Sequence, residues 1–223
     1  MRSFLSRVAP IAVAVAVGVL AGPTLADPIE DGENVYKTKT CMACHGIKGG
    51  RPVMSYPALA GQNEKYLLTQ MTDIKAGKRV GGVDAATGHP FVQGMVDVMH
   101  LVTDEDMANA AAYLAAQEPP KPKAVDPAPT PEEIAAGEAA YKTLGCTSCH
   151  GKEGSKPSVK TYPYLAGLNR DYLVRQMTEM RDQVRVNGQS KLMFGVIKKA
   201  KDEDIAAIAA WLSQIDRSAA KTQ

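Results

Sequence analysis

Apolar residues recur at three- and four-residue intervals along much of the chain, and strict alternation is rare. Met107, Ala111 and Leu114 form one such stripe, and Ile205, Ile208, Ala209 and Leu212 form another. This spacing puts side chains on one face of a helix. The start signals agree. Thr103-x-x-Asp106 reads as the cap of a helix running to about Ala116. Thr130, followed by Pro131, Glu132 and Glu133, joins a capping box to a proline at the first helical position. That helix is expected to run toward Tyr141 and stop near Gly145. Residues 64–76 and 171–183 are also patterned as helices. The pattern predicts an all-α protein.

The pattern occurs twice. Gly32 and Tyr36 match Gly137 and Tyr141. Tyr56-Pro57-Ala58-Leu59-Ala60-Gly61 matches Tyr162-Pro163-Tyr164-Leu165-Ala166-Gly167. Tyr66-Leu67-Leu68-Thr69-Gln70-Met71 matches Tyr172-Leu173-Val174-Arg175-Gln176-Met177, and Asp104-Glu105-Asp106 matches Asp202-Glu203-Asp204. A period of about a hundred residues predicts two duplicated domains rather than a solenoid of short repeats. Between them, residues 119–131 hold six prolines in thirteen positions, a composition that cannot continue a helix and favours an extended connector. The expected division is a leader at 1–26, a first domain at 27–118, a linker at 119–130 and a second domain at 131–223.

Composition adds a constraint. Outside the leader the chain has only Phe91, Phe194 and one tryptophan as its largest apolar side chains besides tyrosine. Halves of roughly ninety residues so poor in bulk would bury little apolar surface. Something other than side chains must fill each core.

The cysteines indicate what. All four lie in two copies of one motif, Cys41-Met42-Ala43-Cys44-His45 and Cys146-Thr147-Ser148-Cys149-His150. Cys-x-x-Cys-His is the attachment motif of covalent c-type haem. Cys41, Cys44, Cys146 and Cys149 would form thioethers, and His45 and His150 would ligate iron. The other readings of paired cysteines are a redox disulfide and a zinc site. A redox motif needs a strand-to-helix context that neither copy has. A four-cysteine zinc site leaves two identically placed histidines unexplained. Two haem c groups would also supply the missing core.

A haem that carries electrons usually has a second protein ligand, often methionine. Met95 and Met193 each lie nine residues before the matched Asp104 and Asp202, in what reads as a loop before the last helix. Met71 and Met177 are matched too, but sit in predicted helices, where methionine more often fills a core. Met99 is the rival in the first half, since Ile197 takes its place in the second. His89 and His100 have no counterparts and read as loop or surface residues. Residues 80–90 are an extra stretch of the first half.

The N-terminus predicts export. Arg2 and Arg7 precede an apolar run at 11–21, and Thr24-Leu25-Ala26 follows Gly22 and Pro23. This is the pattern of a signal peptide cut after Ala26, and the run is shorter than the ~20 residues of a spanning helix. The two leader arginines account for the formal +2 charge of the chain, so the remainder is neutral and nothing points to nucleic acid. Residues 27–120 carry 8 basic and 12 acidic side chains, and 121–223 carry 16 and 12. Such a dipole can orient a docking partner.

With its leader, its two Cys-x-x-Cys-His motifs, its Tyr-Pro-x-Leu-Ala-Gly and Tyr-Leu-x-x-Gln-Met stretches and its Met–Asp-Glu-Asp endings, the chain resembles the dihaem cytochrome c4 family. The resemblance implies two tandem class I cytochrome c domains related by a pseudo-twofold axis, with His/Met iron in each. It implies that the Pro57 and Pro163 carbonyls accept from the rings of His45 and His150. It implies that Gly32 with Tyr113, and Gly137 with Trp211, mark a crossing of first and last helices. It further implies periplasmic electron transfer between redox proteins, toward a membrane-bound terminal oxidase, with peripheral membrane association open. One departure stands out: Gln62 of the first half is replaced by Leu168 in the second. A subunit of a larger oxidoreductase, such as a sulfur-compound dehydrogenase, remains an alternative. A dihaem peroxidase is a weaker one, since two matched methionines would close both irons.

Overall fold

A computed structural model describes residues 27–218. The expected signal peptide and its cleavage after Ala26 lie outside the described residues. The first half contains α1 (Pro28–Thr38), α2 (Cys41–His45), a 3-10 turn at Ile47–Gly49, α3 (Glu64–Lys75), α4 (Gln93–Met99) and α5 (Asp104–Ala116). The second contains α6 (Pro131–Thr143), α7 (Thr147–His150), a 3-10 turn at Lys152–Gly154, α8 (Arg170–Arg181), a 3-10 turn at Gly188–Met193, α9 (Phe194–Ile197) and α10 (Asp202–Ser213). Among the described residues there is no strand, only an isolated antiparallel bridge between Val83 and Pro90. No described helix is long and apolar enough to cross a membrane.

Both capping boxes form. Thr103 Oγ1 accepts from the Asp106 N–H at 3.0 Å, and Asp106 accepts from the Thr103 N–H at 2.9 Å. Thr130 and Glu133 make the same reciprocal pair at 3.2 and 2.8 Å. These bonds satisfy N–H groups that the helix itself leaves unpaired.

The first and last helices of each half cross at a glycine. A Cβ on Gly32 would overlap the Asn109 carbonyl oxygen and lie 2.6 Å from Tyr113 Cβ. One on Gly137 would overlap the Ala207 carbonyl oxygen and lie 2.7 Å from Trp211 Cβ. The absent side chain lets α1 seat against α5, and α6 against α10. An aromatic pair flanks each crossing, with Tyr36 and Tyr113 centroids 5.7 Å apart and Tyr141 and Trp211 centroids 5.1 Å apart.

One expectation is corrected. Met95 and Met193 were expected in a loop, but Met95 lies inside α4 and Met193 closes the 3-10 turn before α9. Neither α4 nor that turn has a side-chain cap at its start, so the sequence carried no start signal for them.

The extra stretch of the first half is used at the boundary between the halves. The Gly82 N–H donates to Glu179 of α8 at 2.9 Å, and the Arg175 guanidinium stacks 4.4 Å from the Phe91 ring. Arg175 also donates to Ser55 Oγ at 3.1 Å.

Candidate functional site: two facing clefts

Each Cys-x-x-Cys-His motif folds as a short helix closed by a glycine. Gly46 and Gly151 adopt φ of 74° and 75°, a region that costs other residues energy. A tyrosine from the preceding helix pins each turn: Tyr36 donates to the Gly46 carbonyl at 2.7 Å and Tyr141 to the Gly151 carbonyl at 2.9 Å. Both histidines are buried. Their Nδ1 atoms lie 3.0 Å from the Pro57 carbonyl and 3.2 Å from the Pro163 carbonyl. A carbonyl only accepts, so Nδ1 carries the proton and Nε2 keeps its lone pair. Burial holds both imidazoles below their usual pKa, with the proline carbonyls acting weakly the other way. The neutral ring that results is the form that ligates metal.

Each motif opens onto an apolar cleft. Cys41, Cys44 and His45 share theirs with Leu67, Met71, Met95, Val98 and Met99. Cys146, Cys149 and His150 share theirs with Leu173, Met177, Met180, Met193 and Leu212. The open space is 1510 Å³ in the first and 1620 Å³ in the second, mouths included. No disulfide joins the four cysteines. These features fit a bulky planar group held through paired thioethers and one imidazole. No cluster of three or more His, Cys, Asp or Glu suited to a bare metal ion occurs among the described residues.

The methionines separate by environment. Met95 and Met193 are half-buried. Met99 is 2% exposed and packs with Ile74, Val102 and Met107. Its repeat partner Ile197 is also buried, against Ala200 and Ile205. The matched position is thus filled by methionine in one half and by isoleucine in the other, both buried. His89 and His100 are both exposed.

The two clefts meet. Tyr66, Gln70, Leu168, Tyr172 and Gln176 line both of them. Two arginines bind this wall in pseudo-twofold fashion. Arg79 donates to Gln70 at 3.1 Å, to Gln176 at 3.0 Å and to the Tyr172 hydroxyl at 3.2 Å. Arg185 donates to Gln176 at 2.7 Å, to Gln70 at 2.9 Å and to the Tyr66 hydroxyl at 3.4 Å. Asn187 reaches back to Asp73 at 2.7 Å. Arg79 lines the first cleft and Arg185 the second, so each cleft has a cation suited to the carboxylates that haem carries. Leu168, the departure noted above, sits in the shared wall. Its counterpart Gln62 is buried and bonds the Tyr164 backbone across the boundary between the halves.

The arginine network was missed from the sequence, although the repeat held its signal. Gln70, Asp73 and Arg79 recur at the same spacing as Gln176, Glu179 and Arg185.

The comparisons agree with this geometry. The Cytochrome c family model matches residues 29–118 and 134–216. Cytochrome c4 from Azotobacter vinelandii is 34% identical over 184 residues, covering 79% of this chain and 84% of that protein. A thiosulfate dehydrogenase electron acceptor from Thiomonas intermedia is 28% identical over 223 residues, covering 96% of this chain and 94% of that protein. The crystal structure of reduced recombinant cytochrome c4 from Pseudomonas stutzeri superposes with a TM-score of 0.69 at 31% identity, covering 84% of this chain and 98% of that one. Two facing clefts, each with a complete Cys-x-x-Cys-His motif, and this likeness along most of the chain lead to one assignment: the chain belongs to the cytochrome c family, as an electron-transfer protein of the cytochrome c4 type with two covalently bound haem c groups.

Proposed function

We propose that the chain is a periplasmic carrier of single electrons between respiratory partners, with a membrane-bound terminal oxidase as acceptor. Its working units are a first domain at 27–118 and a second at 131–223, joined by the linker at 119–130. The observation that carries the reading is the shared wall. Five side chains line both clefts, so an electron entering at one site leaves at the other after crossing one layer of side chains.

In this reading Cys41, Cys44, Cys146 and Cys149 anchor the two groups. His45 with Met95, and His150 with Met193, complete the iron coordination. When bound, each haem supplies a one-electron iron couple. The Pro57 and Pro163 carbonyls hold the imidazoles in one tautomer and one orientation, which supports ligation. The methionine thioethers favour the reduced metal and raise the potential. The apolar linings keep water out, and the exposed Cys44 side of the first cleft gives a partner access to it.

The test is reoxidation of the reduced holoprotein by membranes containing terminal oxidase, followed by absorbance. The rate is expected to fall as ionic strength rises from about 10 to 150 mM, because screening shortens the reach of guiding charges. Glutamate substitutions at the exposed Lys198, Lys199 and Lys201 should slow it further. No reoxidation above the buffer rate would overturn the oxidase assignment.

A second reading is favoured by the relative named as a thiosulfate dehydrogenase electron acceptor. Under it, the chain accepts electrons from a sulfur-compound dehydrogenase. Thiosulfate-dependent reduction by a co-purifying catalytic subunit would select it.

A further inference from the structure

A third groove runs along the boundary between the halves and shares only Gln62 with the lining of the first cleft. Lys65 lines it from the first half, and Lys156, Lys160 and Arg217 from the second, with Glu64 as its one carboxylate. None of the cysteines, histidines or methionines of the clefts takes part. The three lysines are exposed, and none of them makes an ion pair among the described residues.

Arg217 is the unusual member. It is only 6% exposed. Its guanidinium stacks 4.7 Å from the Tyr164 ring and donates once, to the Ala60 carbonyl at 2.8 Å. Its Nε and Nη1 are buried with no hydrogen-bond partner. A guanidinium carries five N–H donors, and leaving buried charged donors unmet is expensive. Burial pushes its pKa down to about 10, and no carboxylate opposes that shift. A protein cation with unmet donors, beside three unpaired lysines, is an incomplete electrostatic arrangement. An anion completes it.

We propose that this groove binds a small oxoanion of the sulfate and phosphate class, with Lys156 and Lys160 at its rim and Arg217 beneath. Four tetrahedral oxygens on one charged centre suit donors that reach it from several sides. Gln62 and Tyr164 also line the groove, and they bridge the halves. A bound anion therefore draws together both halves at the point where they are already joined. The site is independent of the iron ligands and of the partner-docking lysines at 198–201.

The probe is sulfate, titrated into the reduced holoprotein at constant ionic strength with chloride as the balancing anion. The readout is the NMR resonance of the Arg217 Nε–H. A saturable shift is expected with sulfate and none with chloride. Lys156→Ala with Lys160→Ala should weaken binding by roughly tenfold or more, since one charged hydrogen bond is worth at least that factor. Arg217→Gln should abolish binding, read in that variant from the backbone amide resonance of Tyr164, which also lines the groove. Should that variant fail to fold, the lysine double variant decides, because both side chains are exposed. A shift that is linear in sulfate, or a binding curve unchanged in the lysine variant, would overturn the proposal.

Discussion

Gln62 and Tyr164 are joined by two hydrogen bonds across the boundary between the halves. The Gln62 Nε2 donates to the Tyr164 carbonyl at 2.9 Å, and its Oε1 accepts from the Tyr164 N–H at 2.8 Å. One side chain thus does what a neighbouring strand would do for a backbone. Gln62→Ala leaves both Tyr164 groups without their partner, at about 1–3 kcal/mol for each one kept from water. Hydrogen exchange at the Tyr164 amide is expected to speed up, while amides inside α10 keep their protection. Equal exchange in the variant would mean that the bond does not hold the halves together.

The methionine assignment rests on burial and on the repeat. Met193→Ala and Met95→Ala should each remove about half of the near-infrared band of sulfur-to-iron ligation. Met99→Ala should leave that band whole and cost stability instead, about 2–5 kcal/mol for a core methionine cut to alanine. A ligation band halved by Met99→Ala would move the first ligand to residue 99.

Helix crossing is set by Gly32 and Gly137. Alanine at either place meets backbone carbonyl oxygen, a neighbour that cannot rotate away. A loss of about 2–3 kcal/mol is expected from such overpacking. Gly195 in α9 has no atom within 4 Å of its would-be Cβ and no positive φ, so Gly195→Ala should be neutral or stabilising by up to ~1 kcal/mol. Thermal unfolding of the three holoproteins checks the contrast, and equal midpoints for all three would refute it.

Thr40 precedes the first motif in a left-handed conformation, φ 63° and ψ 8°. The matched residue of the second half is Gly145, with φ 81°. A β-branched residue there costs about 1–2 kcal/mol, and the greater freedom of glycine in the unfolded chain returns part of that. Thr40→Gly is expected to raise the unfolding midpoint by about 2–4 °C. A lowered midpoint would show that the Thr40 side chain makes a compensating contribution.

The legible parts of the molecule were those with local chemistry or a local pattern. Cys-x-x-Cys-His states its own ligand set, because the anchors and the histidine must lie within one turn. Thr103 and Thr130 announce their helices through bonds made within four residues. Matching the two halves paired Gly32 with Gly137, and both lie at a helix crossing, since a constraint needed twice leaves two copies. Short α4 stayed hidden because Val92 offers no capping oxygen. The boundary between the halves was hardest to read. Arg79, Arg185, Gln70 and Gln176 are long polar side chains, the kind that usually point to water. Each arginine bonds a glutamine nine positions away in its own half, but only the fold shows that its other partners come from about a hundred positions away. Arg217 is similar: nothing near it in sequence signals its burial.

The wall of Tyr66, Gln70, Leu168, Tyr172 and Gln176 has an electrical consequence as well. Its five side chains line both clefts, so the two sites lie either side of one shared layer. An electron placed on one side adds negative charge that the other side feels, even with Arg79 and Arg185 bonded to that layer. The second electron is therefore held less firmly than the first, even where the two sites are chemically alike. The molecule fills as a capacitor does, each unit of charge raising the work needed for the next. Two near-identical halves thereby acquire unequal set points, and together they exchange electrons over a wider span of potential than either half alone.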